Sequence, residues 1–284
     1  MNEYRATVLV SGFDFPEAPQ WHAGQLWFSD MWGYKVYRLD QRGEVKVVCK
    51  VPGRPSGLGF LPDGTLLVVS MTDRIIYRVR NGTLSRHSDL SEIARGDLND
   101  LLVDEAGRAY VGNFGFDVFA GAMPTTADLA LVSVEGTARV IAKDLNFPNG
   151  AVLVDGGKTL VIAETLGNRL TAFDRSSDGS LSRRRVYAAL DERTPDGICA
   201  DQAGGIWVSS FATGEFVRVL PGGGISDRIT CEGKRAISCT LGGADRRTLY
   251  CATFAGTLEE IGKSTGAGAI ETVSVEHPGA QPIA

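Results

Sequence analysis

An all-β, six-bladed β-propeller is the fold this chain predicts, on three observations. Six short polar residues, Glu17, Ser56, Asn99, Asn149, Asp196 and Ser238, each open a strand–turn–strand unit and occupy the same place in it. Successive openings lie 39, 43, 50, 47 and 42 residues apart, close to the period of a four-stranded propeller blade. The strands are short, the turns are rich in glycine, and no helical periodicity interrupts them. Arranged around an axis, the six openings aim their side chains at one spot.

The units follow in order. The first opens at Pro16-Glu17-Ala18-Pro19 and continues with strands over 25–28 and 35–39. The second opens at Pro55-Ser56-Gly57-Leu58, turns at Pro62-Asp63-Gly64, and continues over 66–69 and 75–79. The third opens at Leu98-Asn99-Asp100-Leu101, turns at Glu105-Ala106-Gly107 and resumes over 109–111. The fourth opens at Pro148-Asn149-Gly150-Ala151, with strands over 160–162 and 170–173; the fifth opens at Pro195-Asp196-Gly197-Ile198, with strands over 206–208 and 215–219. The sixth opens at Ile237-Ser238-Cys239-Thr240 and resumes over 249–251. Segments 6–10 and 271–275 are both expected as outer strands, the N-terminal one zipping the ring shut so that only short protected edges remain. A propeller shares its core among repeats, so residues 1–284 are expected to form one domain.

Charged residues make up 22% of the chain and its net charge of −5 is spread without blocks, which speaks against a nucleic-acid footprint. No apolar run reaches the length needed to span a bilayer, and Met1-Asn2-Glu3-Tyr4-Arg5 lacks the basic start of a secretory signal, so no membrane partner is expected and the expected location is the cytoplasm. The five cysteines, Cys49, Cys199, Cys231, Cys239 and Cys251, show no paired spacing and are expected to be reduced and structural. A thiol nucleophile would need a histidine partner, and His22, His87 and His277 are the three histidines; His22 and His277 are expected as exposed loop residues.

Two readings stand for the polar openings. Asn-Gly and Asp-Gly after proline are ordinary turn signals, and a channel lined with polar groups can simply bind water. Carboxylate and amide oxygens without histidine or thiolate are also hard ligands, suited to Ca²⁺, Mg²⁺ or Mn²⁺ more than to a tetrahedral zinc site. Two carboxylates converging in a narrow channel repel one another and lose solvation unless a cation compensates them, which favours the metal reading.

Phe15-Pro16-Glu17-Ala18-Pro19-Gln20-Trp21 with Leu26-Trp27-Phe28-Ser29-Asp30 resembles the opening of the gluconolactonase family that also contains senescence marker protein (regucalcin) and luciferin-regenerating enzyme. Asn99-Asp100 with 103–108, Phe147-Pro148-Asn149-Gly150, Pro195-Asp196-Gly197-Ile198 with 205–208, and Ser238-Cys239-Thr240 resemble its later blades, so the resemblance covers nearly the whole chain. It implies a six-bladed propeller with one divalent cation at the channel mouth, calcium first and Mg²⁺, Mn²⁺, Zn²⁺ or Fe²⁺ as alternatives. By motif, Glu17, Asn149 and Asp196 would be its protein ligands, Asn99 would contact the substrate, and Asp196 would also be the catalytic base, with metal-bound water as its rival. The implied activity is hydrolysis of a small lactone or ester. A strictosidine-synthase-like or organophosphate- and aryl-ester-hydrolysing propeller is the alternative, as is a non-catalytic calcium-binding regulatory one.

One departure stands out. Where sugar lactonases of this family carry Arg-x-Asn-Asp, this chain has Asp97-Leu98-Asn99-Asp100, and a Phe114- and Phe116-containing insertion with Asp117 follows. Asp97, Phe114 and Asp117 are therefore expected, with Asn99, to line the substrate pocket, the insertion lying as a loop over the mouth. Phe114, Phe116 and Trp32 read equally as packing residues. On these grounds only a weak preference for polyhydroxylated sugar lactones is expected.

Overall fold

A computed structural model describes residues 1–40 and 43–280. Its strands form six sheets arranged as the blades of a β-propeller. Each blade is an antiparallel meander whose first strand is innermost. The inner strands are Pro16–His22, Pro55–Phe60, Leu98–Val103, Pro148–Val154, Pro195–Ala200 and Arg235–Gly242. Each packs against the next, and the sixth packs against the first, which closes the ring. Among the described residues no helix is long and apolar enough to cross a membrane.

Closure departs from expectation at one end. The sixth sheet runs, from inside out, Arg235–Gly242, Thr248–Phe254, Gly268–Ser274 and Thr7–Phe13. The N-terminal strand is thus the outer one, as expected, but the C-terminal segment is the third strand, hydrogen-bonded on both sides. Its residues explain the position: Gly268, Ala269, Ile270 and Glu271 are all buried, as a central strand requires, whereas Thr7, Val8 and Leu9 remain exposed. A further segment, Asn2–Tyr4, pairs in parallel with Ile225–Thr230 and gives the fifth blade an extra strand.

The apolar core lies between blades and leaves the axis to polar groups. Its largest cluster joins Phe13, Phe28, Leu67, Met71, Val111 and Phe254 from four blades. Between the inner strands contact is so close that Asn149-Gly150 and Asp196-Gly197 do not turn at all but lie inside strands. A Cβ added at Gly150 would sit 2.6 Å from the Ile198 nitrogen and 2.9 Å from the Asp196 carbonyl oxygen of the next blade. Glycine there is a packing requirement, which overturns the turn reading of the dipeptide. Gly150→Ala is expected to lower stability by about 1–3 kcal/mol through overpacking; chemical denaturation measures it, and a change within 0.5 kcal/mol, the scale typical of a surface substitution, would contradict the close approach.

Candidate functional site

A repeated irregularity aims the polar openings. In all six blades the ladder between the first two strands skips a residue at or next to the polar opening: Glu17/Gln20, Pro55/Leu58, Leu98/Leu101, Pro148/Ala151, Pro195/Ile198 and Ala236/Ser238. A bulge re-aims the side chains it carries, and the six polar residues all lie in or beside one. Glu17, Ser56, Asn99, Asn149, Asp196 and Ser238 are all buried.

The backbone ahead of these bulges is pinned by the last residue of the second strand. Asp30 accepts from the Phe15 nitrogen at 2.8 Å, Ser70 Oγ accepts from the Gly53 nitrogen at 3.0 Å, and Glu164 accepts from the Asn146 nitrogen at 2.7 Å. Serines on the second strands tie neighbouring inner strands together: Ser29 Oγ donates toward the carbonyls of Glu17 (3.2 Å) and Ser56 (2.8 Å), and Ser209 Oγ toward those of Gly197 and Ile237, both at 2.7 Å. The mouth is therefore built on rigid supports.

Electrostatically the mouth is an accumulation of carboxylates. Burial, then the charges of Asp196 and Asp100, push the Glu17 carboxyl well above the usual range, and only the Ala18 N–H acts against them. Burial and then Asp100 push Asp196 up likewise, against a hydrogen bond from Asn149. Asp100 keeps some solvent exposure, and burial still raises it to about 6. The structure thus brings Glu17, Asn149 and Asp196 together and adds Asp100, which the repeat alignment did not single out. It lies inside the third blade's bulge, where two successive polar residues share one kink.

The two asparagines are oriented. Asn99 Nδ2 donates to the Pro148 carbonyl at 3.2 Å, and Asn149 Nδ2 donates to Thr165 Oγ1 at 3.2 Å, while Thr165 Oγ1 in turn donates to the Pro195 carbonyl at 2.7 Å. With the amide nitrogens so engaged, the Oδ1 atoms are the groups left to receive a ligand. Among the described residues no three His, Cys, Asp or Glu side chains cluster as a metal site; the donor set here is of mixed carboxylate and amide oxygens. Its chemistry, hard oxygens around uncompensated buried carboxyls, fits a hard divalent cation.

The pocket residues expected from the third blade fall in different places. Asp97 is not a bare carboxylate: Arg54 Nη2, from the second blade, reaches its Oδ2 at 3.1 Å. Asp97 does stand where the family motif has arginine, and a cation from the neighbouring blade stands beside it. Phe114 is 6% exposed and stacks on Phe147 with centroids 4.5 Å apart, so its ring packs against the lead-in to the fourth blade. Asp117 is exposed and accepts from the Ala120 nitrogen at 3.0 Å, shaping the loop. Phe119 is the aromatic that remains open, 45% exposed, edge-on to Trp32 at 5.3 Å.

Thiols and imidazoles lie elsewhere. All five cysteines are free. Burial pushes Cys49 to about 11 and Cys231 to about 12, which suits small apolar fillers and not nucleophiles. His22 is no exposed loop residue: it ends the first inner strand and stacks on Phe60 at 3.7 Å. It lines a cavity of about 630 Å³ at the other ends of the inner strands, away from the carboxylates.

Comparison with known proteins agrees with this architecture. Residues 15–255 match the family model described as the SMP-30/Gluconolactonase/LRE-like region. Regucalcin of Danio rerio is 27% identical over 86% of this chain and 84% of its own. A 6-deoxy-6-sulfogluconolactonase of Pseudomonas putida is 25% identical over 100% of this chain and 99% of its own. Among solved structures, a calcium-binding regucalcin from Agrobacterium tumefaciens superposes with a TM-score of 0.84 at 20% identity, covering 98% of this chain and 96% of that one.

Proposed function

This chain belongs to the SMP-30/gluconolactonase/LRE-like family, and from that premise we propose that it is a hydrolase that opens lactones at the carboxylate-lined mouth of its channel. The observation that carries the reading is the convergence of Glu17 and Asp196, each buried and each pushed up by neighbouring carboxylates, beside two asparagines whose oxygens are left free. Glu17, Asn149 and Asp196 would hold one divalent cation, calcium by analogy with the relative described as calcium-binding. When bound, such an ion polarises the lactone carbonyl and stabilises the oxyanion that forms on it.

The chain's own residues do the rest. Asp196 takes a proton from water as the water oxygen bonds to the carbonyl carbon, and Asn99 Oδ1 accepts the second O–H and fixes the direction of attack. The ring C–O bond then breaks and the proton passes to the departing alkoxide, leaving a hydroxy acid. Water and lactone are consumed one for one, with no other reactant.

The test is acid release in a pH-stat from a panel of five- and six-membered lactones, with chelator and with Ca²⁺, Mg²⁺ or Mn²⁺ restored. Release that chelator removes and one of these ions restores is the expected result. Release from no lactone under any ion would reject the reading.

A further inference from the structure

We propose that Arg54 sets the specificity of this channel, binding a hydroxyl of the substrate ring from the second blade. The class of ring rests on the lactone reading above; the binding role rests on the geometry of Arg54 itself.

Arg54 immediately precedes the inner strand Pro55–Phe60, and Asp97 immediately precedes Leu98–Val103, the inner strand that carries Asn99. The guanidinium therefore stands at the carboxylate end of the channel. Its Nη2 is held by Asp97, but its Nη1 is buried and has no hydrogen-bond partner among the described residues. A charged donor kept from water without an acceptor is costly, and natural structures seldom leave one so unless a ligand completes it. Two rings that meet edge-on lie against the group: its carbon is 4.5 Å from the ring centroid of Trp32 and 4.5 Å from that of Phe119, and the two centroids are 5.3 Å apart. Aromatic faces attract the cation and lock the plane of the fork.

The backbone is equally constrained. Arg54 has φ +66, in the left-handed region that a side chain disfavours. It is held there by the Met71 nitrogen, which donates to its carbonyl at 2.9 Å, and by the Ser70 hydroxyl on the Gly53 nitrogen.

Charge selects the kind of oxygen that Nη1 receives. Asp97 neutralises Arg54, while Arg74 and Asp117 act on Asp97 with opposite signs. The pair Arg54–Asp97 thus carries no net positive charge to attract an added anion. A hydroxyl suits the place better: it accepts from Nη1 and donates to Asp97, whose side chain retains 21% exposure. The ligand is thus a neutral ring bearing hydroxyls, lying against Trp32 and Phe119.

Calorimetric titration with 1,5-anhydroglucitol, a cyclic polyol with no carbonyl to hydrolyse, separates binding from catalysis. Arg54→Met is expected to weaken binding at least tenfold; Arg54→Lys, which keeps the charge but not the fork, should recover only part and serves if the Met variant does not fold. In the acid-release assay Arg54→Met should raise KM for glucono-δ-lactone at least tenfold with kcat little changed, and leave δ-valerolactone within twofold. Equal polyol binding by wild type and variant, no binding by wild type, or equal KM shifts for the two lactones would each overturn the inference. Arg54-dependent polyol binding without acid release from any lactone would sustain it and reject the lactonase reading instead.

Discussion

Replacing Asp196 by Ala is expected to lower kcat/KM for lactone opening at least a thousandfold, equivalent to about 4 kcal/mol of transition-state stabilisation. Two losses combine in it: the carboxylate proposed to take the water's proton, and one of two charges proposed to hold the cation. Glu17→Gln isolates the second. It retains the shape and the oxygen but removes a charge buried beside Asp196 and Asp100. In chelator-treated wild-type protein, adding the activating cation at a hundred times its dissociation constant should stabilise the fold by about 2.7 kcal/mol. In Glu17→Gln that rise in thermal midpoint should vanish while the fold persists. A variant at either position that keeps wild-type turnover and the cation-induced shift would place the site elsewhere.

Glu164→Ala is expected to have the largest effect on stability, a loss of about 3 kcal/mol, at the low end for a broken buried ion pair because its arginine partners are partly exposed. Its side chain is fully buried and receives Arg169 Nε at 3.0 Å, Arg184 Nη2 at 3.1 Å, the Thr171 hydroxyl and the Asn146 N–H. Burial alone would raise its carboxyl, but the hydrogen bonds from Arg169, Asn146 and Thr171 and the charge of Arg169 outweigh it and hold the group below the usual glutamate value. A depressed carboxylate contributes stability that is present above its unfolded value of about 4.5 and lost as pH falls through the folded one. The gap between wild type and Glu164→Ala, read from urea midpoints, should therefore be flat from pH 6 to 8 and narrow below pH 4.5. A flat gap down to pH 3, or a difference below 1 kcal/mol, would mean that the arginines do not hold it. Because Glu164 pins Asn146, three residues before Asn149, the same variant should lose activity in proportion beyond its loss of folded protein.

The blades were legible because each repeats the same local choices: a polar opening, an apolar strand, a glycine turn. The same alignment placed Glu17, Asn149 and Asp196 among six openings that must converge in a closed ring, and the family resemblance singled out these three. What it missed has a common cause. Asp100 joins the carboxylates through a bulge, and a bulge is a mismatch between two strands that no single segment reveals. Arg54 meets Asp97 across 43 residues and two blades, a contact that lies outside any local motif. The pattern of segment 271–275 suits an outer strand as well as a third one, and the burial of Gly268 to Glu271 decides between them.

The pairing of Thr7–Phe13 with Gly268–Ser274 has a consequence for how the molecule comes into being. On the ribosome the first of these strands is made some 255 residues before the second, and domains otherwise form in the order of synthesis. Five blades can complete their four-stranded meanders as they emerge, while the sixth blade's outer strand, made first, has no partner until some 255 further residues have been added. Throughout that interval Val8, Leu9 and Val10 present an unpaired edge to other chains. A nascent chain stalled before Gly268 would thus be a nearly finished ring with an adhesive end, and it is at this step, more than in any blade, that chaperones would find something to hold.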